Sequence, residues 1–448
     1  MTGYDSPLKF SRDVGLEDLA DSESLPVHPA SPLSGLLKER LREQLERQQR
    51  PAAVLLEYGL AGSLAKVVQL CMEDASVSQL QTQLDSAFDS LEALYNGVGL
   101  SRSERSTRLL GPTGVVLSPD QSITTIKDAP RLRSFIRGFI AAIKEYKKHN
   151  PGLCHIVYPA CGPFAPLLIP VLSYFKIRED YLPSELTVTF VDVQPGVIKV
   201  LRALCEELDL GDYVREFACI DAIQYANDLP IDIVVLEAIQ HGFSREGHLA
   251  IAKHFAKLLK EHGMLLPQHV KVRAALVDGQ REFVEQWRTP GASAGDHQQL
   301  LSMIRSERIE LGNVLSINLE TLRTLNVLQI DDYTQMLECE SIQIPSDIEK
   351  SKDNDSSPGC GRERILILYC ELDVFKGEQL NQYESGITHP LPDFQVCINF
   401  TPAQRQAGDL LVQSGDWLKF FYRINGLPGF LPVRDESRGQ NENGGIDE

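Results

Sequence analysis

From about residue 150 the chain alternates two textures. Short apolar runs, LCHIVYPAC, LTVTFVDV, YVREFACIDA and IDIVVLE, read as strands. Between them GPFAPLLIPVLSYFKI, QPGVIKVLRALCEELDL and REGHLAIAKHFAKLLKEHG place apolar residues three and four apart, the period of a helix with one buried face. A further strand begins in GMLLPQHVKVRAALV. Strands alternating with helices predict a parallel sheet covered on both faces. Such sheets hold ligands beyond the carboxyl ends of their strands. Ahead of the first strand, DAPRLRSFIRGFIAAIKEYKKHN reads as a helix from Asp128 to Asn150. Asp128 and Pro130 mark its start, and the lysines near its end suit the helix dipole.

The flanks differ. Residues 1–35, rich in Asp, Ser, Pro and Gly, read as weakly ordered. From Leu36 to about Leu110 the helical spacing returns in SGLLKERLREQLERQQR, EYGLAGSLAKVVQLCMED and VSQLQTQLDSAFDSLEALYNGV. It predicts a small helical bundle, either a dimerisation domain or a packing appendage. After Pro267 come VKVRAALV, SIQIP, RILILYCELDVF, FQVCINF and DLLVQSGDWLKFFYRI, with a helical insertion from QREFVEQW to HQQLLSMIRSE. These predict a mostly antiparallel β domain, barrel or sandwich, carrying a helical arm. The polar stretch 346–364 and the tail RDESRGQNENGGIDE read as disordered. The expected organisation is a helical segment over 1–110, an α/β domain over 111–267, a β domain over 268–433 and a tail over 434–448.

Composition narrows the partners. The chain has 448 residues, enough to bury a sizeable core in two or three domains. No apolar run approaches the length that spans a bilayer, so no membrane contact is expected. The acidic N-terminus lacks an apolar core, so no export is expected either. Nine cysteines are scattered without a Cys-x-x-Cys pair, which predicts reduced thiols in a cytoplasmic setting and no metal site. A formal charge of −18 disfavours nucleic acid and is compatible with a cationic substrate.

Candidate chemistry sits at strand ends. The first strand runs into Ala160-Cys161-Gly162-Pro163-Phe164, whose small residues let a ligand approach the backbone. One glycine is too few for a dinucleotide loop, and the Lys-Ser/Thr of a phosphate loop is missing. Asp192 ends the second strand, where an acid suits a ribose diol. Asp221 ends the third, where it can accept from an adenine amine. A nucleoside site without phosphate chemistry points to S-adenosylmethionine over NAD. The fourth strand ends at Glu237, and Glu246 follows nine residues later. Each has a plain reading too. Asp192 serves as a helix N-cap, Ser244 as a cap with Glu246 a first-turn acid, and Glu237 and His241 as loop residues.

These residues, together with Lys127-Asp128-Ala129-Pro130-Arg131 and the crossing GMLLPQHVKVRAALV, carry a resemblance. From about residue 124 to 433 the chain resembles the protein arginine methyltransferase family, and NLETLRTLN is similar to the segment after that family's arm. The resemblance implies a Rossmann-like class I methyltransferase domain followed by a β-barrel with a helical dimerisation arm, and hence a homodimer. It implies that Arg131 grips the cofactor carboxylate, that Cys161 and Gly162 border the cofactor, and that Asp192 and Asp221 hold ribose and adenine. It makes Glu237 and Glu246 the two arms of a guanidinium clamp. There are departures. Tyr158, Ala160 and Phe164 stand where the family has an acid and glycines, and no tyrosine-rich helix precedes Ser118. Thr388-His389-Pro390 lacks the Trp of the family's Thr-His-Trp loop, which would otherwise fall near Cys397-Ile398-Asn399; His389 is the substrate-side candidate.

Two carboxylates suit a planar guanidinium through paired hydrogen bonds. They orient one nitrogen for in-line attack and draw positive charge toward the others. The expected acceptor is arginine, as a protein, a peptide or the free amino acid. The divergent substrate side and the long N-terminal extension are similar to the bacterial methyltransferase of free L-arginine in nitrosourea antibiotic biosynthesis. Another small-molecule acceptor and a non-catalytic scaffold stand as alternatives.

Overall fold

Helical spacing in the first described stretch becomes two packed helices, α1 (Gly59–Met72) and α2 (Val77–Gly97). Ser76 opens α2 with a reciprocal capping box to Gln79, and Leu80, Leu84, Phe88 and Leu91 form its buried stripe. The computed structural model describes residues 59–239, 243–283, 294–346, 364–381, 384–385, 394–399, 410 and 412–439, all within the compact unit Arg50–Glu448. After one turn of helix, Arg102–Ser106, strands β1 (Leu109–Gly111) and β2 (Gly114–Val116) pair as an antiparallel hairpin. Then α3 (Ala129–His149) begins where the Asp128 side chain accepts from the Arg131 N–H at 3.2 Å. Its last turn carries Lys147, Lys148 and His149.

Next comes the α/β layer: β3 (Cys154–Pro159), α4 (Ile169–Arg178), β4 (Leu186–Asp192), α5 (Pro195–Glu207), β5 (Val214–Cys219), β6 (Ile231–Val235), α6 (His248–Leu258) and β7 (Leu259–Leu266). The strands lie in the order β5-β4-β3-β6-β7, all parallel. β3, β4 and β6 are buried along their whole length, which is why they read as unbroken apolar runs; the edge strand β5 is half exposed. The chain leaves β3 in one direction for β4 and β5, and later returns beside it as β6. The switch point, where ligands bind in such sheets, therefore lies between β3 and β6.

Two boundaries differ from the sequence expectation. The helix expected through Gly263 stops at Leu258, because Leu259–Leu266 pairs with β6 and buries Leu259, Leu265 and Leu266. Sheet pairing overrides the local helical period there. The helix expected from Gly162 starts only at Ile169, and the residues before it form a tightly turned loop.

Beyond β7 the sheets are antiparallel. β8 (His269–Asp278), β9 (Ile309–Asn318) and β12 (Arg364–Phe375) lie side by side, with β13 (Glu378–Leu380) and β14 (Phe394–Asn399) on the outer edge of β12. A four-stranded sheet runs β10 (Leu328–Asp331), β11 (Thr334–Gln343), β15 (Trp417–Arg423), β16 (Gly429–Arg434). Among the described residues no strand pairing joins the two, so the structure has two antiparallel sheets where a closed barrel was expected. The expected arm contributes helix α7 (Ala294–Ser306). Arg434 ends β16 and pairs with Asp416 at 2.8 Å, and Glu436–Gly439 forms a further turn, so the stretch expected to be disordered is folded that far. Residues 1–35, 347–363 and 440–448, for which disorder was expected, lie outside the described residues. One buried apolar cluster runs through α1, α2, the parallel sheet and both antiparallel sheets.

Candidate active site

Four loops converge at the carboxyl end of the parallel sheet around a cavity of about 370 Å³. That volume suits a nucleoside-sized ligand. Cys161 and Gly162 after β3, Asp192 at the end of β4, Asp221 after β5, and Glu237 and Glu246 after β6 all line it. The sequence-derived candidates thus meet in one place, except two. His389 lies outside the described residues. Arg131 is not among the lining residues and faces Glu237 instead.

Asp192 is buried and accepts one backbone N–H on each oxygen, from Gly162 at 3.1 Å and Gln194 at 2.9 Å. Each oxygen keeps a lone pair for a ligand. Burial pushes its carboxyl up to about 6, and the two N–H donors only partly oppose that. The N-cap of α5 is Gln194, so Asp192 is not the helix cap. Asp221 does cap a short turn, accepting from the Ile223 N–H at 3.1 Å, and the residue also lines the cavity.

The loop after β3 is strained. Ala160, Gly162 and Ala165 sit at φ of 49°, 65° and 38°. Left-handed backbone costs a non-glycine residue about 1–3 kcal/mol and gathers at ligand-binding loops. Phe164, between them, is gripped edge-on by Phe88 and Tyr95 of α2, with ring centroids 6.3 and 6.2 Å apart. The N-terminal helices therefore buttress the ligand loop. Tyr95 also donates to Asp120 at 2.8 Å, beside the segment that brings Ser122 and Thr125 to the cavity wall.

The loop after β6 carries the two glutamates. Arg131 makes an ion pair through Nε with Glu237 Oε1, and its Nη2 donates to the carbonyls of Glu237 (3.0 Å) and Ile239 (2.8 Å). Ser385, after β13, joins this network, donating to Asp128 at 2.6 Å and accepting from Arg131 at 3.4 Å. Glu246 precedes α6, whose N-cap is Gly247 without a side-chain cap, so neither Ser244 nor Glu246 has the helix-start role of the plain reading. His248, the first residue of α6, is buried and hydrogen-bonded to the Ala238 backbone. Burial holds its imidazole down at about 3, hence neutral. It ties the helix start to the Glu237 loop. Phe243 and Arg245 are left-handed, at φ of 69° and 70°.

The β1–β2 hairpin forms the remaining wall, and sequence reasoning missed it. Gln194 Nε2 holds its base, donating to Thr107 O at 2.9 Å and Leu117 O at 3.3 Å. Toward its tip, Val115 N donates to Arg245 O at 2.7 Å and Gly426 N to Pro112 O at 2.6 Å. The signal was Gly111-Pro112-Thr113-Gly114 between two short apolar pairs, a turn chemistry that predicts a hairpin.

No protein-family model matches the chain, and no curated protein does. Among solved structures it is similar to the Trypanosoma brucei PRMT1 enzyme–prozyme heterotetrameric complex with AdoHcy, at 13% identity over 70% of this chain and 96% of that one, TM-score 0.41. It is similar also to PRMT6 with SAH (10% identity, 70% and 98%, TM-score 0.42) and to protein arginine methyltransferase 10 of Arabidopsis thaliana (11%, 67% and 86%, TM-score 0.38).

Proposed function

We propose that this cavity binds S-adenosylmethionine and methylates a guanidino nitrogen of arginine. The observation that carries the reading is the meeting of a buried, half-satisfied Asp192 with Glu237 and Glu246 in one cavity at the switch point. The cavity fits the cofactor. Asp192 offers acceptor lone pairs to a ribose diol, Asp221 faces the position for an adenine, and Gly162 has only Ser122 near the place a Cβ would take, at 3.9 Å.

When bound, the cofactor supplies a methyl group on a sulfonium sulfur. Glu237 and Glu246 hold the acceptor guanidinium by charge-assisted hydrogen bonds and aim one nitrogen at that methyl. Held by Asp192 and Asp221, the sulfonium would supply the methyl group, and Glu246 would accept the proton that the methylated nitrogen gives up. Arg131 pairs with the carboxylate of Glu237, so the orientation of the first jaw is set before substrate arrives.

Free L-arginine is the acceptor we favour over a polypeptide, with a place in natural-product biosynthesis. The hairpin tethered to Arg245 and Gly426 walls the cavity beside Glu246 and supports a small acceptor. A homodimer through α7 and a cytoplasmic setting belong to the same reading.

The test is mass spectrometry of free arginine and an arginine peptide incubated with labelled S-adenosylmethionine, for the native chain and Glu237→Gln. A loss of about 100-fold or more in the variant is expected, because a neutral amide cannot pair with the cation. Transfer that survives within a few-fold means the clamp is wrongly assigned. Calorimetry with S-adenosylhomocysteine separates the alternatives: binding without arginine turnover indicates another acceptor, and no binding indicates a scaffold.

A further inference from the structure

The hairpin turn serves two cavities. Pro112 and Thr113 line the main one and also a second, of about 360 Å³, between α6 and the four-stranded sheet. Ile223, Val327 and Ile424 give the second cavity apolar surface, and Lys253 and Lys257 give it charge. The two lysines lie one helical turn apart on the same face of α6, where like charges repel. Among the described residues neither makes an ion pair, although the chain as a whole carries −18. Lys257 suits the dipole at the helix end. Lys253 lies mid-helix and half-buried, and the dipole gives it no such reason to be there. Burial, and then Lys257, hold its ammonium below the usual lysine range, a penalty that an anion would relieve.

Two neighbouring polar side chains, those of His254 and Asn425, are already engaged. His254 Nε2 lies 2.8 Å from the Tyr225 carbonyl. The Asn425 amide accepts from Gln335 N at 2.9 Å and donates to Tyr333 O at 2.9 Å. Two ammonium groups and an apolar floor, with the polar Thr113 and Gln335 beside them, are what the cavity presents to a ligand.

We propose that this second cavity binds a small organic anion, a carboxylate or phosphate on a compact apolar body. Lys253 and Lys257 hold the charge, and Ile223, Val327 and Ile424 hold the body. The proposal is independent of the chemistry in the main cavity.

The test is calorimetric titration of the full chain with phenyl phosphate, benzoate, inorganic phosphate and benzylamine. Phenyl phosphate or benzoate is expected to bind at least fivefold more tightly than inorganic phosphate, and benzylamine not at all. Whichever of the first two binds more tightly identifies the anionic group. The double variant Lys253→Ala/Lys257→Ala should lose at least tenfold in affinity, and Lys253→Arg/Lys257→Arg should keep it, with melting curves showing both folded. Absence of binding by both aromatic anions, equal binding of benzylamine, or unchanged affinity in the alanine variant overturns the proposal.

Discussion

The contact between Gly247 and Thr113 offers a clean perturbation. Gly247 sits at φ −79°, ψ 25°, outside the left-handed region, so Gly247→Ala adds little backbone strain. Its Cβ would lie 2.7 Å from Thr113 Oγ1, 2.8 Å from Thr113 O and 3.1 Å from Thr113 Cβ. Relaxing those contacts requires Thr113 to retreat by roughly half an ångström or more. The hairpin has little slack, because Pro112 O accepts from Gly426 N at 2.6 Å and Val115 N donates to Arg245 O at 2.7 Å. The opposite side is equally tight: a Cβ on Gly114 would meet Arg245 O at 2.5 Å. Overpacking of this kind costs about 1–3 kcal/mol. If a ligand needs the hairpin seated, its affinity falls roughly five- to 150-fold. The assay is calorimetry with S-adenosylhomocysteine, with Gly152→Ala as control, since a Cβ there meets nothing within 4 Å. Equal affinity and equal melting temperature in the two variants would refute the view that the hairpin is a wall of the site.

Two further outcomes follow from the same geometry. Burial raises Asp192 from 3.8 to about 6, so the folded chain takes up this proton between those values while the unfolded chain stays ionised. The buried charge therefore costs stability above pH 6, a cost relieved as pH falls toward 3.8. Ligand affinity runs the other way, because a ribose diol donates to the ionised form: S-adenosylhomocysteine should bind about tenfold more weakly per pH unit below 6, and a flat profile down to pH 5 would contradict the ribose assignment. Phe164→Ala should lose about 3–5 kcal/mol in denaturant unfolding, as the wedge between Phe88 and Tyr95 goes. A loss under about 1 kcal/mol means that α2 does not support the ligand loop.

The parallel layer was legible because its central strands are buried on both faces, so IDIVVLE and LTVTFVDV stand out as apolar runs with an acid at the tip. That placement brought Asp192, Asp221, Glu237 and Glu246 into view together. What escaped depends on contacts remote in sequence. Nothing local shows that Leu259 belongs to a strand, since only β6 as a neighbour makes it one. Gln194 holds the hairpin through Thr107 and Leu117, far upstream, and Arg131 turns to Glu237 because of where α3 lands. The resemblance left residues before Ser118 without a role, whereas residues 109–117 line the cavity.

Phe164 locked between Phe88 and Tyr95 also bears on how the chain is made. Translation completes α2 well before it reaches Phe164, and a helix in a protein draws most of its stability from the packing of its apolar face. The apolar stripe of α2 can pack early on α1 and α3, but the face that holds Phe164 waits on the ribosome until the ligand loop emerges. Protease digestion of stalled chains should find residues 59–97 cleavable before Phe164 leaves the exit tunnel and protected afterwards; protection at the earlier stage would show that the helices stand alone.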